Sequence, residues 1–81
     1  MAVADRFVFR GGVLRQLRER NKLSRLDLAR VLRTYYAIRR ANEDTIRLHE
    51  HGTRQPGWRY AVAYAEVFEV SLDAFRHMKP A

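Results

Sequence analysis

From Val13 onward the apolar residues recur three or four positions apart rather than alternating, which predicts helices. Val13, Leu14 and Leu17 form the inward side of a first helix over roughly Gly12 to Asn21, with Arg15, Arg20 and Lys22 outward and Asn21-Lys22 as the turn. Ser24 is a good N-cap, and Asp27 three residues on completes a capping box, so a second helix starts at Arg25 with Leu28, Ala29, Leu32 and Tyr36 as its buried stripe. Neither Gly nor Pro interrupts the chain through Arg33 to Ala41, which predicts a long second helix reaching about Arg40; a flexible turn of about ten residues is the alternative. Asn42 caps a third helix that carries Glu43 and Asp44 in its first turn and Ile46 and His49 on one face, and Gly52 supplies the left-handed residue at its end. After the loop Thr53-Arg54-Gln55-Pro56-Gly57, a fourth helix over Gly57 to Phe68 has Trp58, Ala61, Val62, Ala65 and Phe68 as its apolar face. Ser71 caps a last short helix with Leu72, Phe75 and Met78, and Pro80 lies beyond it. The fold class is therefore all-α, five helices around one core. Only Arg6-Phe7-Val8-Phe9-Arg10 alternates; it reads as an arm whose phenylalanines cover the core, with a DNA-contacting arm as the alternative.

Eighty-one residues make one domain, divided into an arm over residues 1–11 and a helical body over 12–78, with no room for a second effector domain. No apolar run approaches the roughly 20 residues of a membrane span, and no basic-then-apolar leader marks the chain for export. The absence of cysteine excludes disulfides and thiolate metal sites and fits a reducing, cytoplasmic, nucleoid-associated location. Charge changes the picture more. The net charge is +7, the pI is about 10.8, and 14 of the 16 basic residues are arginine, whose planar fork matches phosphate oxygens and guanine edges. Arginine use also follows from a GC-rich genome, and both causes are compatible. The positive charge leans toward the first 22 residues, which carry +4 of the total.

Two capped helices in a basic surround suit a helix-turn-helix DNA reader. Four pieces carry a closer likeness: Leu14-Arg15-x-Leu17-Arg18, Leu23-Ser24-x-x-x-Leu28-Ala29, Ile46-x-x-x-Glu50-x-Gly52, and Pro56 through Val70-Ser71-Leu72-Asp73-x-Phe75. In that order they make the chain resemble the lambda-repressor-like helix-turn-helix domains of the Cro and repressor type, over about Val13 to Phe75. The resemblance implies a salt bridge between Arg18 and Glu50 that ties the first helix to the end of the recognition helix. It also implies that Arg25 meets a phosphate and buttresses the recognition helix. Glu43, Asp44, Thr45 and Arg47, with Asn42 at the start, match the face that enters the major groove, and His51, Thr53 and Arg54 match the backbone-contacting segment after it.

Two departures bear on these roles. Between Leu28-Ala29 and Ile46 the chain is seven residues longer than the family spacing, close to two helical turns, and the usual turn glycine is absent. The extra length fits a longer second helix and makes Arg39 and Arg40 candidates for phosphate contact, although both also suit a helix C-terminus. Glu43 and Asp44 are acidic where polar or basic residues are usual. They either stabilise the helix start or, for Glu43, accept a hydrogen bond from a cytosine amino group.

Other chemistry is thinly supported. His49 and His51 are two residues apart, about 200° around a helix, whereas a helical metal pair needs i, i+4 spacing; no metal or cofactor is expected. Nothing resembles a nucleophile beside a base, a carboxylate pair or a nucleotide loop, so no enzyme activity and no small-molecule ligand are expected. The expected function is a sequence-specific double-stranded DNA-binding regulator, phage-like and acting by operator occupancy. Arg25, Arg39, Arg40, His51 and Arg54 would contact phosphates, and Thr45, Arg47 and Glu43 would read base edges. A homodimer meeting two half-sites through Trp58, Phe75 and Met78 is expected, with ordinary core packing as their other role. The alternative function is a protein-interaction module, such as the antitoxin of a toxin–antitoxin pair, with Tyr35-Tyr36 and Phe7-Phe9 as its surface if exposed.

Overall fold

Four α-helices and one short 3-10 turn form within residues 8–76, the part of the chain that the computed structural model describes. They are α1 (Gly11–Arg20), α2 (Arg25–Tyr35), α3 (Glu43–His51), α4 (Trp58–Val67) and the 3-10 turn Leu72–Phe75. No β-strand occurs among the described residues, where the sole ladder contact is one antiparallel bridge between Phe9 and Arg76.

Local chemistry sets the helix starts. The Ser24 hydroxyl accepts from the Asp27 N–H at 2.9 Å while the Asp27 carboxylate accepts from the Ser24 N–H at 3.1 Å, a complete capping box. Asn42 caps α3 by accepting from the Thr45 N–H at 2.9 Å. Each helix ends at a left-handed residue, but glycine supplies it only at Gly52; Lys22, Ala37 and Glu69 do so for α1, α2 and α4. After α1, the Leu23 N–H returns to the Arg18 carbonyl and the Lys22 N–H to the Glu19 carbonyl, a pairing repeated after α3 and α4.

The long second helix does not form. α2 stops at Tyr35, and the residues expected to extend it form instead a loop over residues 36–42 that leads into α3. Phase explains the stop: the stripe through Leu28, Leu32 and Tyr36 would next bring Arg39 and Arg40 inward. Breaking at Ala37, with φ of 56°, instead buries Ile38 and Ala41 and leaves both arginines exposed. The loop is pinned on both sides. Arg33 Nη1 donates to the Ala41 carbonyl at 2.6 Å, and Arg59 Nη2 donates to the Ala37 carbonyl at 2.9 Å.

The predicted fifth helix is the four-residue 3-10 turn, and Met78 and Pro80 lie outside the described residues. Phe75 is fully buried and belongs to the core, not to a dimer face. Its ring stacks on Phe9 with centroids 4.7 Å apart, and Phe9 also meets Tyr64 at 5.8 Å. The arm is thus a packing element at Phe9, held by the Arg10 N–H to the Phe75 carbonyl at 2.7 Å and the Phe9 N–H to Gln55 Oε1 at 2.9 Å. Arg6 and Phe7 lie outside the described residues. Leu14, Leu28, Leu32, Ile46 and Tyr64 complete the centre of the core. Gly11 and Gly12 both lie in the first turn of α1, and α1 crosses α3 so closely that Gly11 abuts the carbonyls of His49 and Glu50. The buried side of α4 includes Ala61, Tyr64 and Ala65; Trp58, at the first position of the helix, is 68 % exposed although it shares the side of Ala61 and Ala65.

Candidate nucleic-acid interface

α3 is anchored on its inner face by two polar contacts and one apolar side chain. Ile46 enters the core, and Glu50, its carboxylate fully buried, gathers two arginines. Arg18 approaches in a fork, Nε to Oε2 at 2.6 Å and Nη2 to Oε1 at 3.2 Å, while Arg18 Nη1 donates to the Leu23 carbonyl at 2.9 Å. Donating to the Glu50 carboxylate holds the Arg18 guanidinium above its ordinary pKa. Arg25, first residue of α2, adds its Nε to Oε1 at 3.1 Å. One carboxylate thereby joins α1, α2 and the turn between them to the last turn of α3.

His49 is the second polar anchor. It is 2 % exposed, its Nδ1 lies 2.8 Å from the Tyr64 hydroxyl, and its ring meets Tyr60 and Tyr64 edge-on. Burial, helped by the charge of Arg54, pushes its pKa down to about 4, and burial pushes the Tyr64 phenol up. The sign follows directly. An unfolded histidine titrates near about 6.5, so between that pH and about 4 the unfolded chain binds a proton that the folded chain refuses. Stability fully present above pH 6.5 is therefore lost as pH falls toward 4, by about 3 kcal/mol at roughly 1.4 kcal/mol per pH unit. Urea midpoints at pH 7, 5.5 and 4.5 should show this decline, and His49→Gln should flatten it; an unchanged slope in the variant would assign the loss to other groups.

The outer face of α3 is open. Glu43, Asp44 and His51 are exposed, and Thr45 and Arg47 are half-buried. Arg47 reaches back to Asp44 at 3.6 Å, an exposed i, i+3 pair worth little in energy but enough to favour one arginine direction. Glu43 and Asp44 sit at the positive end of the helix, and Asn42 is committed to capping, with its Nδ2 also donating to the Arg40 carbonyl at 2.9 Å. Thr53 and Arg54 are exposed just past Gly52. Arg25 is half-buried and engaged with Glu50, so a phosphate could reach only the donors that this bond leaves over.

Of the residues expected at a dimer face, Trp58 is exposed, Phe75 is buried, and Met78 lies outside the described residues. Trp58 lines an open cleft of about 260 Å³ with Tyr36, Arg59, Val62 and Ala63. Tyr35 is 76 % exposed, whereas Tyr36 is half-buried and packs against the core, so the pair divides. Tyr60, Tyr64, Gln55 and Arg59 escape sequence reasoning because their partners lie from 11 to 46 residues away. A fully buried tyrosine beside a histidine leaves no short-range signature.

No helix among the described residues is long and apolar enough to cross a membrane. No family model, curated protein or solved structure matches the chain.

Proposed function

We propose that this chain is a sequence-specific double-stranded DNA-binding regulator of the helix-turn-helix type, with α3 as the helix that enters the major groove and operator occupancy as its mechanism. The observation that carries the reading is the division of α3. Its inner face is fixed by Ile46, His49 and Glu50, while Asp44 and His51 lie exposed on the outer side and Thr45 and Arg47 form the half-buried edges on either side of it, on a helix capped at both ends. A reader of base edges needs such rigidity, because its side chains must meet the bases without the backbone shifting. Exposed Arg39, Arg40 and Arg54 flank that face, and none of them forms an ion pair among the described residues. They supply the sequence-independent phosphate contacts. Glu43 remains the candidate for a cytosine contact, and Asp44 for helix stabilisation and for steering Arg47.

The test is selection of the purified protein against random duplexes, followed by affinity measurements across salt. An enriched motif with a steep salt slope supports the regulator, and a two-fold repeat in that motif supports a homodimer. Arg47→Ala should then lose about 1–3 kcal/mol of discrimination between the preferred and a scrambled duplex. Equal losses on both would remove Arg47 from the base-reading set.

One observation favours a second reading, a protein-interaction module of the antitoxin kind. Trp58 and Tyr35 are large, exposed aromatic side chains, and Trp58 borders an apolar cleft. Weak binding without an enriched motif would select this reading.

A further inference from the structure

The loop that replaces the expected long helix builds a second feature. Between it and the first turn of α4 lies an open cleft of about 290 Å³ lined by Ala37, Ile38, Arg39, Arg40, Arg59 and Tyr60. Three arginines line it and, among the described residues, no acidic residue does. Arg15, Arg18, Arg25, Arg47 and Arg76 all have carboxylate partners, whereas Arg39, Arg40 and Arg59 have none among the described residues. Three like charges around one cleft repel one another, a cost relieved when an anion enters.

The cleft is also held in shape. The Arg59 bond to the Ala37 carbonyl uses one Nη2 hydrogen and leaves its other donors available, while the Arg33 bond to Ala41 and the buried Ile38 fix the loop from beneath. The loop runs through Ala41 straight into Asn42, the cap of α3, which sets the cleft beside the start of the proposed reading helix. The guanidinium fork matches a phosphate oxygen pair.

We propose that Arg39, Arg40 and Arg59 form a single cleft that grips one backbone phosphate of the duplex next to α3. This rests on the DNA-binding reading above. Because the cleft is open to solvent, it accepts a phosphate still joined to its strand, where a free phosphate would exchange with water. Arg59 thus has two tasks, orienting the loop and touching the anion.

The experiment measures the affinity of a labelled mixed-sequence duplex by fluorescence anisotropy between 50 and 300 mM salt, the range in which such contacts report. Arg39→Ala/Arg40→Ala and, separately, Arg59→Ala should each lower the salt slope by about one unit. Each should also weaken preferred and scrambled duplexes alike. Arg15→Ala, on the exposed side of α1, should leave the slope unchanged. The double variant breaks no side-chain bond in the fold, so an unchanged thermal midpoint keeps its result independent of folding. A steep wild-type slope retained by both cleft variants overturns the cleft and leaves the regulator reading intact. A wild type that binds no duplex overturns both. Titration with inorganic phosphate, followed by the arginine Nε–H resonances, separates the ligand sources: saturation by free phosphate without duplex affinity overturns the assignment to DNA.

Discussion

Glu50→Ala should destabilise the protein by about 3–5 kcal/mol, because it removes the single buried carboxylate that compensates two guanidinium groups. Arg18 is the more affected partner. Its side chain is 10 % exposed and cannot turn to water without unpacking α1 from α3, whereas that of Arg25, 29 % exposed, can partly resolvate. The loss is large beside the roughly 4–12 kcal/mol expected for a domain of this length, so the variant should be partly unfolded near 37 °C. Urea denaturation of Glu50→Ala beside Arg25→Ala gives the decisive contrast. Arg25→Ala should cost about 1 kcal/mol, since the Arg18 fork remains. Similar losses in the two variants would mean that the carboxylate is held by α2 as much as by α1.

Gly11→Ala should be nearly as damaging for an unrelated reason. A β-carbon at residue 11 would overlap the His49 carbonyl oxygen and lie 2.5 Å from that of Glu50. Both obstacles are backbone, so no rotamer change relieves them, and α1 must move away from α3. That shift loosens the Arg18 to Glu50 pair and the packing of Leu14, for about 3 kcal/mol, at the upper end of overpacking costs. Gly12→Ala is the control: a β-carbon there meets nothing within 4 Å, and the change should be neutral or slightly stabilising through helix propensity. Thermal midpoints of the two variants check the pair. Equal midpoints would show that α1 can retreat from α3 at little cost.

The DNA-reading hypothesis and these stability effects share α3. If α1 and α2 hold the helix through Glu50, variants that loosen this tie should lose base discrimination before they lose the phosphate contacts, which are spread over exposed arginines outside α3. The acid loss through His49 acts on the same helix from its α4 side.

What the sequence determined by itself is where two of the helices begin and how one of them ends. Ser24 with Asp27, Asn42 with Thr45, and Gly52 act over two or three residues, so their chemistry is complete within the segment that displays it. The inward positions Leu14, Leu28, Leu32 and Ile46 were legible for a similar reason, because a period of 3.6 is a local property. Tertiary structure decided the rest. α2 ends at Tyr35, where helix propensity favoured continuing, because burying Ile38 and Ala41 requires carbonyl bonds from Arg33 and from Arg59, 22 residues away from Ala37. Phe75 joined the core because Phe9, far away in sequence, supplied the surface on which it stacks. Lys22, Ala37 and Glu69 took left-handed conformations without glycine, at a local cost that the surrounding packing offsets. Local rules name the helices; which side chains meet depends on contacts between segments that share no short-range pattern, and those contacts exist only once the chain has closed on itself.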